Sequence, residues 1–156
     1  MVDVGLRNAL VEDACSRREG SAKAMEKRFF EFLTHDERVD CLALGAIDKR
    51  PSWAMLLQTG DRPRALFVLL VGHAEVRGQD RTVLTRLVSG DVFGEMSFIQ
   101  NVDASADVVA ITNVTVLTLT DAVIKELFQE RPGLAASLHR SLAVELAQRL
   151  LAASAR

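Results

Sequence analysis

Between Ile47 and Leu119 long helices are ruled out, because glycine breaks the chain at Gly60, Gly72, Gly78, Gly90 and Gly94. A glycine costs a helix interior about 1 kcal/mol relative to alanine, and it supplies the backbone angles of tight turns. The stretches between are short and rich in β-formers. "LFVLLV" (66–71) reads as a buried strand, "RTVLTRLV" (81–88) as an alternating one and "VTVLTLT" (114–120) as a third. Short consecutive strands with no helix between them hide their edges best by closing on one another. The prediction is a double-stranded β-helix, or jelly-roll-like β-roll, of about eight strands.

Helical patterns flank this region. Leu6, Leu10, Val11 and Ala14 recur at helical spacing over residues 4–17, and Met25, Phe29 and Leu33 mark a second helix. Thr34 and Glu37 form a T-x-x-E capping box opening a third, which Gly45 stops. After the roll, Asp121 is expected to cap a helix running to about Glu130, and Pro132 suits the first turn of a long last helix. Leu134, Leu138, Leu142, Leu146 and Leu150 recur along it every four residues. Each such step turns about 40°, so the stripe is slanted, and one part can pack on the roll while another meets a partner chain. That expectation makes the last helix a dimer helix. The fold class is α+β, mainly β, with N-terminal helices and two C-terminal helices.

Apolar residues make up 49% of the chain and the net charge is −2, so no basic surface for direct nucleic-acid contact is expected. Apolar runs such as "ALFVLLV" are too short to span a membrane, and no signal pattern opens the chain, so the expected location is cytoplasmic. Cys15 and Cys41 are read as buried hydrophobes in a reducing compartment. A cupin-type metal site would need about three converging histidines, whereas only His73 lies in the roll while His35 and His139 fall on helices. No G-x-S-x-G is present. Neither a metal site nor an enzyme is expected. Trp53, in "PSWAML", is expected to pack in the core or at its rim, with an exposed ring that meets a partner as the alternative, and "RPR" (62–64) to be a solvated turn.

The order helices, glycine-punctuated roll, short helix, long helix resembles the cyclic-nucleotide-binding domain family, the sensor domain of the catabolite-activator type. The resemblance covers about residues 30–150, through "LTHDERVDCLALGA", "LLQTGDRPRALFVLLVGHAEV", "LVSGDVFGEMSFI" and "LTDAVIKELFQERP". It divides the chain into an N-terminal extension, 1–25, and a cyclic-nucleotide-binding-like domain, 26–156. It implies that Gly94-Glu95 opens a phosphate-binding cassette in which Glu95 accepts from a ribose 2′-hydroxyl. Backbone N–H groups at Met96 and Ser97 would then face a cyclic phosphate, Ser105 would donate to it, and Ala104 and Ala106 would let the chain come close. The implied ligand is cyclic AMP or cyclic GMP, with no other cofactor.

The chain departs from the pattern where it matters most. The family's cassette ends in a motif like R-x-A-x-V. Setting its alanine and valine on Ala106 and Val108 puts the phosphate-pairing arginine at Ala104. No Arg or Lys occurs between Arg86 and Lys125, while Asp103 and Asp107 flank the spot and are expected to add negative charge there. Three readings stay open: a regulatory sensor with intact cyclic-nucleotide binding, one with weakened or altered binding, or a ligand-free interaction and dimerisation scaffold of the same fold. Each would act on a protein partner, as a sensor without a helix-turn-helix, whether alone or cut from a longer chain.

Overall fold

The computed structural model describes residues 32–154. The helix expected over 4–17 therefore lies outside the described residues, as does the boundary at residue 25. Of the second expected helix only Phe32 and Leu33 are described, in the turn before Thr34.

Helix α1, His35–Leu44, begins as the sequence requires: Glu37 N–H donates to Thr34 Oγ1 and Thr34 N–H donates to Glu37 Oε1. It ends at Gly45, where a Cβ would sit 2.5 Å from Leu117 Cδ1. Eight strands follow: β1 Ala46–Arg50, β2 Met55–Leu57, β3 Ala65–Val71, β4 Ala74–Arg77, β5 Val83–Leu87, β6 Val92–Phe93, β7 Asp107–Ala110 and β8 Val114–Thr120. A short helix α2, Glu95–Gln100, interrupts them, and α3, Asp121–Glu130, and α4, Pro132–Ser154, close the chain. The strands form two antiparallel four-stranded sheets, ordered β1-β8-β3-β6 and β2-β7-β4-β5.

The β3–β8 pair explains why "LFVLLV" is apolar without alternation. Leu66 pairs with Leu119 and Val68 with Leu117, and these four face the helices. Phe67 and Leu69 face the opposite way, into the roll, Leu69 beside its partner Val116. A strand covered on both faces needs apolar residues at every position. Two cores result, one under the helices and one between the sheets.

Two expectations change. The cap of α3 is Thr120, whose hydroxyl accepts from Val123 N–H; Asp121 is the first helical residue, where its charge still suits the helix dipole. Trp53 is not packed: it is 67% exposed, at φ +69° in the β1–β2 turn. Its backbone N–H donates to Ala110 O, so the turn holds the main chain and turns the ring outward.

Along α4 the leucine stripe slips as the 40° steps dictate. Leu134, Leu138 and Leu142 are buried in the domain's own core, Leu146 is half-buried and Leu150 is 69% exposed. The face they vacate passes to Glu145, which is buried, and Arg149. Arg149 stands eleven residues after Leu138, three turns plus about 20°, so it points the same way. Among the described residues no helix is long and apolar enough to cross a membrane.

Candidate functional site

The site starts from an aromatic floor. Phe67 on β3 and Phe93 on β6 are register partners and stack with centroids 5.1 Å apart. Gly94 follows at φ +77°, and a Cβ on it would sit 2.8 Å from Phe67 Cδ2, so this position accepts only glycine without rearrangement. Gly94 O accepts from Phe98 N–H, which starts α2 and carries Glu95 into the interior, 5% exposed. The preceding Gly90-Asp91 turn is structural: Gly90 N–H donates to Leu69 O and the buried Asp91 carboxylate accepts from Val88 N–H.

The returning chain is fixed from the other side. Gly60 N–H donates to Ala104 O and Ala104 N–H donates to Asp61 O, which pins Ala104 against the 58–61 loop. All seven residues singled out from the sequence, Gly94, Glu95, Met96, Ser97, Ala104, Ser105 and Ala106, border one cleft of ≈ 100 Å³. That is below the roughly 300–1,000 Å³ of small-molecule sites, so a ligand of that size has to part its walls. Leu57, Val76, Phe93 and Val108 complete its apolar wall.

One lining residue escaped the sequence reading. Arg149, from α4, reaches the cleft and donates to Glu95 Oε1 and Val92 O, with Glu145 Oε1 3.2 Å away. The signal was its position on the face set by Leu134 and Leu138, which an inventory of leucines overlooks. Of the two aspartates flanking Ala104, neither borders the cleft. Asp103 pairs with Arg62 Nε at 2.8 Å, and Asp107 accepts from Thr59 N–H and Oγ1. Thr59's two bonds hold the Asp107 carboxyl below the usual range. The expected repulsion of a phosphate by this pair is thus corrected: one charge is matched by Arg62, and the other is bound by the 58–61 loop. Arg62 is correspondingly an ion-pair partner within the solvated turn.

Of the dimer-helix residues, Leu134, Leu138 and Leu142 are committed to the domain's own core, leaving Leu150 and its neighbour Leu151 exposed. Among the described residues no cluster of His, Cys, Asp and Glu could hold a metal ion. Cys41 is 1% exposed, and burial first, then Asp40 and Glu37, push its thiol up to about 12.

The comparisons agree with this geometry. The catabolite activator protein of Thermus thermophilus superposes with a TM-score of 0.68 at 26% identity, covering 81% of this chain and 59% of that one. A cyclic nucleotide-binding domain from Methylobacillus flagellatus gives 0.71 at 21% identity, over 82% of this chain and 79% of that one. In sequence, the chain is 33% identical to glutaminase 1 of Bradyrhizobium diazoefficiens over 131 residues, 84% of this chain but only 21% of that much longer protein. Residues 51–131, from the Trp53 turn through the cassette to the end of α3, match the family described as the cyclic nucleotide-binding domain, and with the cleft that those residues build, the chain belongs to that family.

Proposed function

We propose that the chain is a regulatory domain that takes a cyclic nucleotide in the cleft between the cassette and α4, with an altered phosphate contact, and passes occupancy on through α4. The observation that supports this most is the meeting of Glu95 and Arg149, since the residue expected to hold the ribose is bonded to the last helix. The domain has no catalytic step of its own in this reading. A ligand that binds one position of α4 better than another shifts the helix toward it by that difference in affinity. The loss of a cassette arginine at Ala104 removes a charged hydrogen bond worth about 1.5–3 kcal/mol, which weakens binding roughly ten- to a hundredfold unless another cation replaces it.

The partner is a protein, and the similarity to one fifth of a glutaminase supports an enzyme as the kind of partner such a domain serves. Self-association is proposed through the exposed end of α4, at Leu150 and Leu151, with Leu146 at its margin. Calorimetry and thermal melts with cyclic AMP, cyclic GMP and cyclic dinucleotides test the reading. Heat and a raised Tm with one of them are expected, because a ligand that binds only the native state stabilises it. Silence at millimolar concentration across the panel would leave the fold as a ligand-free scaffold.

A further inference from the structure

The cassette brings no positive charge of its own to the cleft, yet the cleft contains one. No Arg or Lys occurs between Arg86 and Lys125, and Arg149 is the basic residue that borders the cleft among the described residues. Its side chain is 26% exposed, between the carboxylates of Glu95 and Glu145, which are buried. A guanidinium carries five N–H donors in a planar fork. Nη1 donates to Glu95, and Nη2 donates to Val92 O and faces Glu145 Oε1 at 3.2 Å, which leaves the second Nη1 N–H and the Nε N–H for a further acceptor. Arg62 is the other basic side chain near Ala104, but it faces Asp103 at the surface and does not border the cleft.

We infer that Arg149 is the phosphate partner of this site: the cation missing at Ala104 is supplied across the cleft by the last helix. The inference rests on the cyclic-nucleotide reading of the cleft. Its ligand class is a nucleoside cyclic monophosphate, with the sugar hydroxyl on Glu95 and the anionic phosphate on the guanidinium that Glu95 already orients. Glu95 and Glu145 both lie against this one guanidinium, so Arg149 is shared rather than dedicated. Binding is correspondingly weaker than with a cation of undivided role. It also means the ligand touches α4 directly, so occupancy and helix position form one equilibrium.

The test compares a cyclic nucleotide with its uncharged nucleoside. Calorimetry with cyclic AMP and with adenosine is run on the unaltered chain, Arg149→Gln, Arg149→Lys and Arg62→Gln, with circular dichroism to check folding. Arg149→Gln is expected to lose about ten- to a hundredfold in cyclic AMP affinity while adenosine affinity stays within about twofold. A mere brace would affect both ligands alike. Arg149→Lys keeps a charge against Glu95 and should lose less, which keeps the test open if the glutamine variant folds poorly. Arg62→Gln should change neither affinity. Adding Ala104→Arg to Arg149→Gln should recover cyclic AMP affinity by returning the charge to the cassette. Unchanged or tighter cyclic AMP binding in both Arg149 variants would overturn the inference while leaving the cyclic-nucleotide reading intact. Absence of binding of both cyclic AMP and cyclic GMP to the unaltered chain and to Ala104→Arg would overturn both.

Discussion

Arg149 on the last helix and Glu95 on the cassette are 54 residues apart in sequence and share a charged hydrogen bond. Glu95 is almost fully covered, and the same guanidinium also holds the carbonyl of Val92, the first residue of β6. The bond therefore ties three parts of the domain at one point, and that point lies in the wall of the cleft.

Glu95→Gln keeps the shape of this side chain but removes its charge. Cyclic-nucleotide affinity is expected to fall roughly tenfold or more, since an acceptor that is ionised forms a bond worth about 1.5–3 kcal/mol. The fold should persist, because Glu145 still accompanies Arg149. Calorimetry and circular dichroism on the same sample measure the two effects separately.

Gly94→Ala and Gly60→Ala separate strain from crowding. Both positions have positive φ, +77° and +93°. At Gly60 a Cβ meets nothing within 4 Å, whereas at Gly94 it meets Phe67 at 2.8 Å. The first should cost about 1–2 kcal/mol from the backbone alone. The second should cost more, about 2–5 kcal/mol, as crowding adds about 1–3 kcal/mol. Urea denaturation gives both values; equal costs would mean that the stacked floor yields freely.

Leu150→Asp with Leu151→Asp should leave the fold intact and abolish self-association, read by light scattering at high micromolar concentration. Leu142→Asp, which the leucine stripe alone would nominate for the same purpose, should instead unfold the domain. Leu142 is 2% exposed, and an unpaired carboxylate there has no solvent to face. An unaltered chain that is monomeric at that concentration would refute the dimer.

Cys41 sets an alkaline limit. Its thiol is pushed up to about 12 from 9.0 in the folded chain, so between these values the unfolded thiol is ionised while the folded one keeps its proton. The unfolded state binds fewer protons there, and stability falls as pH rises from about 9 toward 12. Below about 9 the group contributes no slope. Cys41→Ala should flatten that part of a Tm-against-pH curve at some cost in packing. In a Cys15→Ser background, alkylation at pH 8 should be slow until the chain unfolds.

The roll was legible because its signals are local. Glycine punctuation and the unbroken apolar run of β3 fix turns and strands from neighbouring residues, and the Thr34–Glu37 box declares its helix start in four letters. The cassette side of the cleft was legible too, since Gly94–Ser97 and Ala104–Ala106 lie close together in the chain. Arg149 was not, because its place depends on how α4 docks on the roll. Asp103 and Asp107 misled for the same reason: their partners Arg62 and Thr59 lie 41 and 48 residues earlier. At Trp53 composition pointed inward, while the tight turn between two strands left the ring no interior to enter.

The slanted leucine stripe makes α4 a clockwork of two hands. Leu134 to Leu142 keep time with the roll, and Arg149 keeps time with the cassette only because the same helical count runs unbroken between them. One alanine inserted after Ala143 would leave every leucine of the first half in place and carry Arg149 on by about 100° and 1.5 Å. The core would stay packed, and cassette and helix would fall out of phase. Such a chain should melt only slightly earlier than its parent, yet thermal melts should show a ligand's stabilising shift lost or much reduced.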